Sequence, residues 1–418
     1  MKKKYFVLVL VLFITANSCN GENNITIQSQ PLIKAESVIL EENEDIILSE
    51  IEGCSLNSNS EKIVLTSGAK KIISIYDFTN GKIKYFRKAG LYLTDSIKNT
   101  NRIPPANPYN QIPMYPIKYL TLDECNSIGL SDLRMLNNIF INVKYNDDNT
   151  ISSSALVYLP VLLKDNQKTA YNTATVVEFD SSLNIKRVIF PNNTLNHYTI
   201  AFSFIADKSK KQYYLLNEAL GAYHYFKTTD TISILAVYDE NGEYVKTALY
   251  LDKKFANNEF IFLSYMYNPI TTSINNQHFA MFPYEPNTIY NLITDDTISL
   301  SNPIVDYSEK YEEARNKIKK LKENDSRRKI FEEYMPLSAY KLMNNGVNLI
   351  VCYLNKEDED NASFIFREYD TNGKLISERT FENKENLNIQ NMLYDKKNNY
   401  VVFFVKGEEN WTMEKYRW

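Results

Sequence analysis

A short motif written four times along the chain constrains its fold more than any other feature. Each copy is an apolar strand that ends in an aromatic–Asp pair, turns within a few residues and continues as a second strand. The copies span 75–83 around Tyr76-Asp77, 177–185 around Phe179-Asp180, 237–245 around Tyr238-Asp239, and 368–376 around Tyr369-Asp370. Asp starts such a turn because its carboxylate accepts a hydrogen bond from the backbone N–H two residues on. Three copies carry Asn-Gly, which supplies the positive-φ residues of a tight hairpin. The intervals between the aspartates are about 100, 60 and 130 residues, read as two, one and two multiples of a unit of about 50–65.

Runs rich in Val, Ile, Tyr, Phe and Thr fill the remaining chain, among them 62–66, 72–76, 175–179, 200–205, 233–238, 260–264, 347–353, 364–369 and 401–405. Such runs, bounded by Asn, Asp, Gly and Lys, are strand signals. A repeated four-stranded unit cannot bury its own faces, so several must pack radially. The expectation is an all-β fold, a six-bladed β-propeller, with seven blades as the alternative. One stretch, 307–334, breaks the pattern. Tyr311, Ala314, Ile318 and Leu321 recur at helical spacing, and Asp306 and Glu309 stand at capping-box separation before them. It is predicted as a helical insertion whose mixed charges form a solvated face.

The N-terminus supplies an address. Met1-Lys2-Lys3-Lys4 precedes a charge-free run from Tyr5 to Ile14, too short for a membrane span of about 20 residues. This is the pattern of a signal peptide. Ala16-Asn17-Ser18-Cys19 follows it with the form of a bacterial lipobox. The expected organisation is a signal peptide over 1–18, a polar tether over 19–36 after a lipidated Cys19, and a propeller over 37–418. The membrane is then a partner through the lipid on Cys19, and the location is the cell envelope as an outer-membrane lipoprotein, facing the periplasm or the surface. An ordinary signal peptide cut after Ser18 is the alternative. Cys54, Cys125 and Cys352 remain, an odd number that permits one disulfide or none.

Lipobox, polar tether and the strand–Tyr-Asp hairpins together resemble the six-bladed β-propeller lipoproteins of Bacteroidota. Pro286-Asn287-Thr288-Ile289-Tyr290-Asn291-Leu292, then Asn302-Pro303-Ile304-Val305-Asp306-Tyr307 before the charged helix, adds to the resemblance. It implies a fold and an envelope location rather than a reaction. The chain departs from that group at Arg87-Lys88-Ala89-Gly90-Leu91-Tyr92, where a glycine-rich turn is common, and in the Pro-rich loop that follows.

Composition and motifs exclude several functions. Net charge is −4, too balanced for a chain whose main partner is nucleic acid. There is no Gly-x-Ser-x-Gly and no His-Glu-x-x-His. The three histidines, His197, His224 and His278, lie far apart among aromatics and are read as structural. Asp147-Asp148 and Asp295-Asp296 stand in turn-rich sequence, where Asp serves the backbone. No catalytic residue, metal ligand or cofactor is assigned. With 31 tyrosines, most are expected in strands, leaving a minority, with clusters at Tyr213-Tyr214, 223–226 and 265–267, for a binding face. The stiff loop over 103–116 is the candidate binding loop, through Pro104, Pro105, Tyr109 and Tyr115. The expected function is a non-enzymatic binding or scaffold module for a protein, peptide or glycan partner. The alternative is a metal-dependent propeller enzyme, lactonase-like or glycan-active, with a site in the channel.

Overall fold

The computed structural model describes residues 27–89, 118–119, 138–162, 168–192, 199–217, 231–252, 268–283, 285–305, 337–355 and 363–418, with single helical positions between 310 and 334. Two strands open the chain, β1 (Gln30–Pro31) and β2 (Ile33–Ile39). Blade 1 follows as β3 (Gly53–Leu56), β4 (Lys62–Ser67), β5 (Ile72–Asp77) and β6 (Ile83–Lys88). Blade 2 holds β7 (Lys118–Tyr119), β8 (Ile139–Tyr145), β9 (Ile151–Leu162), β10 (Lys168–Phe179) and β11 (Ile185–Ile189). Blade 3 is β12 (Thr199–Asp207), β13 (Gln212–Asn217), β14 (Thr231–Asp239) and β15 (Tyr244–Asp252). Blade 4 is β16 (Ile270–Ile274), β17 (Gln277–Met281), β18 (Thr288–Asn291) and β19 (Thr297–Ser299). Blade 5 is β20 (Leu337–Asn344), β21 (Leu349–Asn355), β22 (Ser363–Tyr369) and β23 (Leu375–Glu382). Blade 6 is β24 (Ile389–Asp395), β25 (Tyr400–Lys406) and β26 (Trp411–Arg417), completed by β2.

The innermost strands touch in a ring, β3 to β8, β12, β16, β20, β24 and back to β3. The chain is therefore a six-bladed β-propeller, not a seven-bladed one. Six hydrophobic clusters lie between successive blades and close the circle. Val64 and Ile75 meet Phe140 and Val177 between blades 1 and 2, and Leu393 and Phe404 meet Ile63 and Leu65 between blades 6 and 1. Strands covered on both faces read as continuous apolar runs instead of alternating ones, as in the second strands β4 and β25.

The aromatic–Asp motif marks the end of the third strand of a blade. Its aromatic always packs against the preceding blade: Tyr76 onto blade 6, Phe179 onto blade 1, Tyr238 onto blade 2 and Tyr369 onto blade 4. Tyr290 packs likewise onto blade 3, and Tyr416 onto blade 5. Burying each such ring contributes about 1.5–3 kcal/mol. The acid then turns the chain as expected. Asp77, Asp180, Asp239 and Asp370 each accept from the N–H two residues on, at 3.0, 2.8, 2.7 and 2.9 Å. Blade 4 uses Asn291 in that place, which accepts from Ile293 N–H at 3.0 Å. The turn motif thus occurs once in each of blades 1 to 5, and the long Asp77–Asp180 interval is one blade step, not two; the additional length lies between β6 and β8.

Blade 6 closes the ring with strands from both ends of the chain. β2 pairs antiparallel with β26, Val38 opposite Met413. Lys34 Nζ lies 2.9 Å from Glu414 Oε1, and Lys415 Nζ 3.3 Å from Glu36 Oε2. β1 adds a parallel fifth strand to blade 5, Gln30 opposite Arg379. Strand pairing therefore begins at Gln30, and 30–36 belong to the propeller instead of the tether expected over 19–36.

Helical positions fall inside the predicted insertion, at Lys310, Glu313, Ala314, Asn316 and Lys317, and again at Lys329, Ile330, Glu333 and Tyr334. Lys317 Nζ sits 4.9 Å from the Tyr334 ring centre, so the two groups of positions meet. Among the described residues, no helix is long and apolar enough to cross a membrane.

Candidate functional site

The two faces of the propeller differ. On one face the first strand of each blade turns into the second, and the third into the fourth. All these turns are short, the longest being 57–61, 146–150, 78–82, 180–184, 292–296 and 370–374. The other face receives the second-to-third turns and the links between blades. The strands that flank the long connections 89–138, 218–230, 253–269 and 300–336 have their connected ends on that face. The Pro-rich loop with Pro104, Pro105, Tyr109 and Tyr115 belongs to the first of these. Those four residues, Cys19, Cys125, His197 and His224 lie outside the described residues.

The short-turn face brings charged side chains to the mouth of the channel. Asp207 ends the inner strand of blade 3. Its Oδ2 lies 2.9 Å from His278 Nε2, and its Oδ1 accepts from Ser209 Oγ at 2.6 Å and Lys210 N–H at 3.1 Å. Desolvation opposes the Asp207 charge, yet these donors outweigh it and hold the carboxyl below its ordinary range. An ionised carboxylate only accepts, so Nε2 of His278 carries the proton and Nδ1 accepts from Ser273 Oγ at 2.9 Å. Burial lowers the His278 pKa, so the ring is neutral, and it meets Tyr214 edge-on with ring centres 5.0 Å apart. Ser–His–Asp is the order of a nucleophile–base relay. Here the imidazole is 2% exposed with both nitrogens engaged, so the array fastens blade 4 to blade 3. The structural reading of His278 holds.

Two lysines reach the same mouth. Lys144, on the inner strand of blade 2, donates from Nζ to Ala206 O at 2.9 Å. Burial lowers its pKa against the opposing pull of Asp147 and Asp207. Lys396 stands in the turn after the inner strand of blade 6. The residue is exposed; nearby protein and the Lys144 charge lower its pKa, against Asp147. Beside them Lys208 Nζ and Tyr213 Oη both donate to Glu178, tying blade 3 to blade 2. Asp148 is a turn acid, accepting from Thr150 N–H at 3.0 Å. Sequence missed the joining of Lys144, Asp147, Asp207, His278 and Lys396, because they come from strands and turns of four different blades.

Glu52 sits on the opposite face, just before the inner strand of blade 1. Its carboxyl is pressed against Gly68, where a Cβ would fall 2.2 Å from Oε2. Burial first, then the Glu50 charge, push its pKa up to about 7, against the Gly68 N–H. Cys54 and Cys352 are free thiols whose pKa values burial raises. The Tyr213-Tyr214 cluster, counted among binding candidates, is buried between blades. Among the described residues, no three His, Cys, Asp or Glu side chains are grouped to hold a metal ion.

No protein-family model and no curated protein matches this chain. Its fold is similar to that of a candidate exported protein from Bacteroides fragilis, at 11% identity and TM-score 0.51, covering 94% of this chain and 98% of the other. A PQQ-bound aldose sugar dehydrogenase from Streptomyces coelicolor matches at 8% identity and TM-score 0.46, covering 93% and 99%. At these identities the likeness is one of fold alone.

Proposed function

We propose that this chain is a lipid-anchored propeller of the bacterial cell envelope that binds a protein, peptide or glycan partner on its long-connection face. The observation that carries this reading is the contrast between the two faces. Six blades with short turns form a scaffold, and the strand ends that lead into the long connections lie on one side of it. Rigid scaffolds that present long connections are suited to binding. The cationic N-terminus, the Ala16-Asn17-Ser18-Cys19 sequence and the fold shared with a candidate exported protein support an envelope location.

The test has two arms. Cys19→Ala should abolish lipid labelling and release the protein from membranes; full membrane retention refutes the anchor. Replacing 103–116 by a Gly/Ser segment of equal length should abolish binding on peptide and glycan arrays while leaving the melting transition in place. Metal-dependent turnover of lactones or glycans by the purified chain would replace the binding reading with the enzymatic one.

A further inference from the structure

We propose that the outer rim of blade 5 is the surface this protein turns to the membrane, seated against lipid headgroups with blade 2 held farthest away. The inference rests on lipidation of Cys19, the anchor proposed above, and adds which side of the molecule that anchor draws to the bilayer.

The argument begins with a strand that ring closure does not need. β2 alone completes blade 6, yet the chain first runs as β1 along the outer edge of blade 5. Gln30 pairs with Arg379 and Pro31 with Thr380 in parallel register. Gln30 Oε1 accepts from the Arg379 guanidinium, and Leu32 N–H donates to Thr380 O at 2.9 Å. Ile27 packs onto the hydrophobic cluster between blades 4 and 5, and Leu32 is buried in the one between blades 5 and 6. Residues 27–32 are therefore strapped across blade 5 from one seam to the next.

Chain length then limits where the anchor can act. Eight residue steps separate Cys19 from Ile27. Fully extended, they reach at most about 29 Å. A compact body of this size is about 55 Å across. Blade 2 stands opposite blade 5 in the ring, so seating blade 2 on the bilayer would lift Ile27 beyond the reach of its own anchor.

Apolar groups on the rim favour seating by this edge. Ile33 follows the strap directly and is 64% exposed. Ile376 stands on β23 three residues before Arg379, as Ile27 stands three before Gln30, and is 45% exposed. Two exposed isoleucines thus bracket the strap on the rim to which the anchor is tied. Apolar side chains that enter the headgroup region strengthen anchoring with the area they bury. Seating by the edge leaves both faces open to the side, so the long connections can meet a partner alongside the membrane.

The experiment places a photoreactive benzophenone amino acid at one exposed position at a time in the full chain. Each variant is made with its lipid in cells, checked for an unchanged melting transition and irradiated in vesicles of phosphatidylethanolamine and phosphatidylglycerol. Mass spectrometry reads both the crosslinked lipid and the lipid on Cys19. The positions are Ile33 and Ile376 on the rim, Lys186 on the outer strand of blade 2, Val347 on the short-turn face, and Ile47 in the link between blades 6 and 1 on the other face. Labelling at Ile33 and Ile376 should exceed that at the other three at least fivefold. Equal labelling at Lys186 overturns the proposal, as does equal or greater labelling at Val347 or Ile47, which marks a face lying on the bilayer. Low labelling at every position also overturns it, since the body then stands clear of the headgroups. Any of these results with lipid present on Cys19 leaves the anchor reading in place; a chain without that lipid refutes both.

Discussion

Gly242 and Phe190 meet so closely that a Cβ on the glycine would fall 1.9 Å from the Phe190 carbonyl oxygen. Gly242 O accepts from Asn192 N–H at 2.7 Å, so the turn of blade 3 is fastened to the exit of blade 2. The joint recurs at Gly81, whose Cβ would fall 1.9 Å from Ile39 O and whose carbonyl accepts from Glu41 N–H at 2.9 Å. Glycine is needed here for φ, which is +81° at Gly242, and for the contact between blades.

Gly242→Ala should therefore cost more than a turn glycine normally does, about 2–4 kcal/mol, because strain and a backbone clash act together. Gly346→Ala has positive φ but open space and should cost only about 1 kcal/mol. Urea denaturation of both variants checks this; equal losses would remove the role of the blade contact.

Closure by β2 predicts the effect of truncation. A chain starting at residue 27 should melt like the full chain. One starting at residue 41 loses β1 and β2, exposes the edge of β26 and should melt at a lower temperature with a tendency to associate. Differential scanning calorimetry with light scattering reads both outcomes.

Glu52 gives stability a pH dependence of known sign. Its carboxyl holds a proton up to about pH 7 in the fold, against an ordinary value of 4.5. The folded state thus binds more protons between those values, so its contribution is full below pH 4.5 and lost as pH rises through 7. Glu52→Gln should flatten this limb and gain stability at pH 8, by a few kcal/mol at most, given about 1.4 kcal/mol per pH unit. Denaturation at pH 5, 6.5 and 8 checks it.

His278 acts in the opposite direction. Its folded pKa lies below the ordinary 6.5, so its contribution is present above pH 6.5 and fades as pH falls. His278→Ala leaves the Asp207 carboxylate without its imidazole donor and should cost about 2–3 kcal/mol at pH 7.5. The difference from wild type should narrow at pH 5.5. Ser273→Ala loses one neutral hydrogen bond and should cost about 1 kcal/mol.

Much of the ring was legible in the residues because it repeats. Tyr76, Phe179, Tyr238 and Tyr369 announced themselves by the acid that follows each. Asn291 escaped because Asn replaces Asp, and Tyr416 because its strand has no hairpin after it. The blade count needed the insertion before β8 to be recognised as one connection, which spacing alone does not reveal. The buried Tyr213-Tyr214 pair looked like the tyrosines of a binding face, since a strand tyrosine has the same sequence wherever its ring ends.

The sequence by itself determined the strand character of the chain, its aromatic–Asp turns and a propeller built from them. These follow from local chemistry: side-chain oxygens that start turns, glycines that permit positive φ, and apolar runs that must be covered on two sides. Only the tertiary structure decided that β2 closes blade 6 and that Lys144, Asp147, Asp207, His278 and Lys396 share one channel mouth. Those groups lie on strands and turns of four different blades. Their meeting depends on ring closure, which brings distant inner strands together and has no local signature.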